Sequence, residues 1–82
     1  MTTEFRVLLF ARYAELFGNT ELRIALTSPA TAGQLIAALR ETPGGGQLPA
    51  TPFLALNGSQ AGADSPLAPG DEIALLPPLA GG

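Results

Sequence analysis

Only one stretch of this chain can form a helix of more than two turns, and that limits the folds open to it. It lies in "SPATAGQLIAALRETPGGG". Thr31 and Gln34 stand at capping-box spacing. Leu35, Ile36 and Leu39 make an apolar stripe with Ala32 and Ala38 beside it, and Pro43 with Gly44 to Gly46 ends the pattern. The other apolar segments alternate with the period of strands. "TEFRVLLFA" (3–11) sets Phe5, Val7 and Leu9 on one face and Glu4, Arg6, Leu8 and Phe10 on the other. "TELRIAL" (20–26) sets Leu22, Ile24 and Leu26 against Glu21, Arg23 and Ala25. Between them "RYAELFG" reads as a short helix carrying Tyr13, Leu16 and Phe17, with Gly18 as its C-cap.

"TPFLALNGSQAG" (51–62) reads as a strand opened by Pro52, with a tight turn at Asn57-Gly58 and a short return strand over 60–63. In "SPLAPGDE" a type II turn is expected at Pro69-Gly70. "EIALLPP" is the last strand, with Ile73 and Leu75 on one face and Ala74 and Leu76 on the other. Pro77 and Pro78 cannot donate to a ladder, so pairing stops there. The run Gly44–Gly46 lacks the strand and the lysine of a phosphate-binding loop, and is expected to be a flexible loop. The whole reads as an α+β domain over 1–78, a mixed sheet of four to five strands packed on one main helix, followed by a tail over 79–82.

In 82 residues without cysteine, no disulfide can compensate for a thin core, so the core must be well filled. The chain has no His, Cys or Lys. That removes the commonest general base, the thiol nucleophile, the Schiff-base amine and the usual imidazole or thiolate metal ligands. A self-sufficient enzyme, a metal site and a bound cofactor are therefore not expected. The net charge is −3 and the four arginines, Arg6, Arg12, Arg23 and Arg40, are scattered. This disfavours nucleic acid and suits a basic protein surface. The longest uncharged stretch, Thr42 to Ala63, is broken by Pro and Gly and is no membrane span. The absence of cysteine fits a cytoplasmic protein.

Two features remain for function. The helix covers one sheet face, and the other carries Leu8, Phe10 and Leu76, so this face is either covered by a neighbour or presented to a partner. The chain also ends "PPLAGG". Such an end is either a plain disordered terminus or a narrow probe whose glycines fit where any Cβ would collide. In the second case the Gly82 carboxylate is the distinctive group, inert until activated as an acyl-adenylate.

"LLFARYAELFG", "ALNG" and "SPLAPGDEIALLPPLAGG" together resemble the small subunits of molybdopterin synthase, the MoaD-type sulfur carriers of the MoaD/ThiS ubiquitin-like family. The resemblance spans nearly the whole chain and is most specific in the "GDE" turn, the following strand, Pro-Pro and Gly-Gly. It implies a β-grasp fold. It implies that Gly82 is adenylated by an E1-like enzyme using ATP, converted to a thiocarboxylate, and delivered to the large subunit of a heterotetrameric synthase. Sulfur would then pass to cyclic pyranopterin monophosphate for the molybdenum cofactor. Gly81 would serve the fit of the tail, and Leu8, Phe10, Leu76, Pro77, Pro78 and Leu79 the docking. The family often carries a basic residue in the first short helix, where this chain has Ala14. A carrier for thiamine thiazole or another sulfur pathway, a ubiquitin-like modifier joined to target lysines, and a plain binding module are the alternatives.

Overall fold

The computed structural model describes residues 1–77. Strand β1 (Thr2–Leu9) leads into helix α1 (Arg12–Phe17), strand β2 (Glu21–Thr27), a two-residue strand β3 (Ala30–Thr31) and helix α2 (Ala32–Glu41). A 3₁₀ turn (Gly45–Gln47) follows, then β4 (Phe53–Leu56), β5 (Ser59–Gln60), β6 (Pro66–Leu67) and β7 (Ile73–Leu76). The main sheet has five strands in the order β2-β1-β7-β4-β5, and β3 pairs with β6 in a separate ribbon. β1 and β7 run parallel and every other neighbouring pair is antiparallel. The expected mixed sheet and main helix are present.

The core follows from alternation. Phe5, Val7 and Leu9 of β1, Leu54 of β4, and Ile73 and Leu75 of β7 are buried on one sheet face. Ala32, Leu35 and Leu39 of α2 are buried against them, and Leu22, Ile24 and Leu26 of β2 pack at the margin. Each fully buried aliphatic side chain contributes about 1.5–3 kcal/mol. α2 starts with both halves of a capping box. Gln34 N–H donates to Thr31 Oγ1 at 3.3 Å, and Thr31 N–H donates to Gln34 Oε1 at 2.8 Å. Its next free donors meet the loop before β6, with Ala32 N–H to the Ser65 carbonyl and Gly33 N–H to the Ala63 carbonyl, both at 2.9 Å.

The glycine run is not the flexible loop that composition suggests. Gly45 is buried, and a Cβ there would collide with the Leu39 carbonyl of α2. A Cβ at Gly44 would meet the Leu16 carbonyl of α1. The absent side chains let three backbone segments touch, so this run is a packed joint between α2 and α1. Two further expectations shift. β1 ends at Leu9, because Phe10 enters a turn, and the return strand is Ser59–Gln60, directly after the hairpin tip.

Gly45→Ala should therefore destabilise the domain by roughly 3 kcal/mol, the upper end for overpacking, because backbone cannot yield as a side-chain tip can. Gly46, where an added Cβ would meet nothing within 4 Å, is the matched control, and Gly46→Ala should gain up to about 1 kcal/mol from a stiffer unfolded chain. Urea unfolding of both variants measures the difference, and equal stabilities would contradict the packed joint.

Candidate functional site

The sheet face opposite α2 is assembled by strand register. Leu8 of β1 faces Glu21 of β2 on one side and Ala74 of β7 on the other. Ala74 in turn faces Ala55 of β4, and Leu76 faces Phe53. Leu9 pairs with Leu75, so Phe10 lies one residue beyond the ladder, at the end of the sheet where Leu76 and Pro77 leave it. Phe10 is 45% exposed, whereas Leu8, Phe53, Leu76 and Pro77 are half-buried. Leu8, Phe10, Leu76 and Pro77 thus come together as an apolar patch beside the exit of the last strand. Pro78, Leu79, Gly81 and Gly82 lie outside the described residues.

Sequence reasoning set Ala74 beside Leu76 on this face but missed Phe53 and Ala55. The signal was the period of two in "FLAL", which sends Leu54 and Leu56 inward and leaves Phe53 and Ala55 outward. On the β1–β2 side the patch is bounded by an exposed charge ladder. Arg6 pairs with Glu21 at 3.8 Å, and Arg23 with Glu4 at 3.4 Å and Glu21 at 3.5 Å. Exposed pairs of this kind add little stability. They mark where the apolar surface ends.

Phe10 is presented by a strained turn. Tyr13 N–H donates to the Phe10 carbonyl at 3.1 Å, and Ala11 between them has φ 51° and ψ −129°. That is the first central position of a type II′ turn, where glycine is preferred. A non-glycine residue there costs on the order of 1–3 kcal/mol, and such strain gathers where geometry serves a function. The turn opens α1, whose Tyr13 and Phe17 are buried and whose Ala14 is half-buried against the core. Arg12 is exposed.

The motifs "ALNG" and "GDE" are one hydrogen-bonded unit. Asn57 and Gly58, with φ 52° and 86°, form the two-residue tip of the β4–β5 hairpin. Asn57 N–H donates to the Glu72 carbonyl at 2.7 Å. Asn57 Oδ1 accepts from Glu72 N–H at 2.9 Å, and its Nδ2 donates to Asp71 Oδ1 at 3.1 Å. Asp71 Oδ2 accepts from Ala68 N–H at 2.7 Å, while Asp71 N–H closes the turn on the Ala68 carbonyl at 3.1 Å. The unit pins the entry of β7, the strand that leads to the tail. The Ala68 N–H first, and the Asn57 side chain second, hold the Asp71 carboxyl below the usual aspartate range.

A cleft of about 640 Å³ opens between α2 and the segments flanking the β4–β5 hairpin, lined by residues including Gly33, Ile36, Arg40, Pro52 and Ala61. Its Arg40 is already engaged, donating to the carbonyls of Leu48 (3.1 Å), Pro49 (2.6 Å) and Ala50 (3.0 Å). The guanidinium fastens the approach to β4 and sits favourably at the helix C-terminus. Among the described residues no group of His, Cys, Asp and Glu could hold a metal ion. Among them, too, no helix is long and apolar enough to cross a membrane.

Because its folded pKa is depressed, Asp71 contributes stability that is full above its unfolded pKa and is lost as pH falls through the folded one. Asp71→Ala should lower Tm at neutral pH, and its gap from the unsubstituted chain should narrow as pH falls below the ordinary aspartate range. Thermal melts across that range measure it, and a gap independent of pH would rule out the carboxylate as the source.

The family model for the ThiS family matches residues 7–82. Among solved structures, the chain is similar to the small archaeal modifier protein SAMP1 of Haloferax volcanii, at 30% identity and TM-score 0.78 over 100% of both chains. It is similar to the Pyrococcus furiosus protein described as a putative molybdopterin converting factor, subunit 1, at 26% identity and TM-score 0.84, over 94% of this chain and 99% of that one. It is also similar to a chain in the complex of subunits 1 and 2 of the molybdopterin-converting factor of Helicobacter pylori, at 28% identity and TM-score 0.68 over 100% of both. With a five-stranded mixed sheet wrapped on one helix and a family match that runs through Gly82, the chain belongs to the ThiS family and has its ubiquitin-like β-grasp fold.

Proposed function

We propose that this chain is a sulfur carrier and the small subunit of a molybdopterin synthase. The observation that carries the reading is the family match through Gly81 and Gly82, joined to an apolar face beside the exit of β7. The α-carboxylate of Gly82 attacks ATP on an E1-like activating enzyme, pyrophosphate leaves, and an acyl-adenylate forms. A sulfide equivalent adds at the carbonyl carbon, AMP departs, and a thiocarboxylate remains. The likeness to a chain of the Helicobacter pylori two-subunit complex supports a large subunit as partner. There the tail would reach the partner's active site and pass sulfur to cyclic pyranopterin monophosphate. ATP is bound by the activating enzyme, and the catalytic side chains belong to the partners. The chain itself supplies the rigid body, the docking face of Leu8, Phe10, Leu76, Pro77, Pro78 and Leu79, and a tail thin enough at Gly81 to enter a narrow channel.

A second reading is favoured by the likeness to SAMP1, a small archaeal modifier protein. In it, Gly82 is joined to lysines of other proteins. The lysine-free chain could not then extend itself through its own ε-amines, so chains linked that way would not form.

Intact mass after incubation with the activating enzyme, ATP and a sulfur source should show sulfur replacing one oxygen, and removal of Gly82 should abolish the gain. An unchanged mass would reject the carrier, whereas isopeptide conjugates in cells would establish the modifier. Phe10→Glu should leave the fold intact and weaken large-subunit binding by at least about tenfold, as expected when a central aromatic contact is lost. Undiminished affinity in a titration would remove Phe10 from the interface.

A further inference from the structure

Asn57 followed by Gly58 carries chemistry that the hairpin does not require. The backbone nitrogen of a residue after asparagine can attack the side-chain carbon Cγ, and Gly58 offers no side chain to hinder the approach. The N–Cγ bond forms and the Cγ–Nδ2 bond breaks. Ammonia leaves with the proton of the attacking nitrogen, and a cyclic imide remains. One water then opens the ring to aspartate or isoaspartate. No oxidant, reductant or enzyme is needed, and both residues are exposed to water.

In this fold the amide is held at both ends, with Oδ1 on Glu72 N–H and Nδ2 on the Asp71 carboxylate. The Asn57 main chain is held as well, by the Glu72 carbonyl. Ring closure requires these contacts to open, so the rate follows the population of the opened turn. We propose that Asn57 is a spontaneous deamidation site guarded by Asp71 and Glu72, and that its conversion undoes the unit that seats β7. The aspartate product puts a carboxylate where an amide donated to Asp71, and the isoaspartate product routes the main chain of the tip through Cβ and Cγ, one atom longer. Two acceptor-only groups then stand at hydrogen-bonding distance with like charge. No arginine is placed to relieve them. Arg6 and Arg23 pair with Glu4 and Glu21, Arg40 holds the carbonyls of residues 48–50, and Arg12 lies on α1. Asp71 faces the new charge with its side chain, and Glu72 meets residue 57 through its main chain.

The test follows conversion at Asn57 by peptide mapping of the full chain, aged at neutral to mildly alkaline pH, in the unsubstituted protein and in Asp71→Ala. Asn19, the other asparagine of the chain, reports general unfolding. Conversion at Asn57 should accelerate about two- to fivefold in Asp71→Ala, the worth of an exposed charged contact, with Asn19 unchanged. Asn57→Asp should melt below the unsubstituted chain at neutral pH, and the deficit should shrink in the acid range, where one of the two carboxyls takes a proton. Equal rates at Asn57 in the two proteins, or acceleration at Asn19 in the same proportion, would overturn the guard. An Asn57→Asp protein with an unaltered Tm would overturn the consequence for β7.

Discussion

Everything in this domain depends on a single burial event, the seating of α2 across the central strands. Leu35 and Leu39 reach zero exposure within one cluster that also holds Val7, Leu54, Ile73 and Leu75 of the sheet. With no disulfide, and no metal cluster among the described residues, no other interaction of comparable size is available. The flanking devices serve this contact. The capping box starts the helix, the loop before β6 satisfies its next donors, and the Gly44–Gly45 joint lets the chain turn back without lifting the helix off the sheet.

One consequence is a division of labour between the sheet's two faces. The inner face is used up by the helix, so the outer face is free to carry chemistry-neutral recognition. Its apolar patch and its charge ladder sit on alternate residues of the same strands that build the core. The outer face is therefore held as rigidly as the core. The Asn57–Asp71–Glu72 unit extends that rigidity to the point where β7 begins, and the Ala11 turn extends it to Phe10. Under the proposed carrier function, such a mount fixes how β7 is presented as far as Pro77 before any partner docks.

Much of this was legible in the residues. "TELRIAL" alternates throughout and "EFRVLL" alternates as far as Val7, and the strands they predict lie within two residues of those observed. The capping box and the C-cap at Gly18 were readable because each is a local geometry with its own residue signature. The role of Gly45 was not readable. Three successive glycines look alike in sequence, and which of them meets another backbone is decided by how α1 and α2 pack. β3 and β6 are too short to show any period. Arg40 stood in the sequence only as one of four scattered arginines, since its carbonyl partners come together only when residues 48–50 fold against it. Of the site, the outer apolar residues on β1 and β7 were visible and Phe53 was not, because all four residues of its strand are apolar and the period of two carries no polar residue to say which set is outer.

The parallel pairing of β1 with β7 brings the first of the described strands beside the last of them, at the middle of the sheet. A ribosome must therefore deliver Ile73 and Leu75 before Val7 and Leu9 acquire their neighbours, and no earlier fragment can close the floor under the helix. Prematurely terminated products would lack the closing strand and remain substrates for proteolysis. In this architecture the body cannot mature until β7, the last of the described strands to be made, is free to pair.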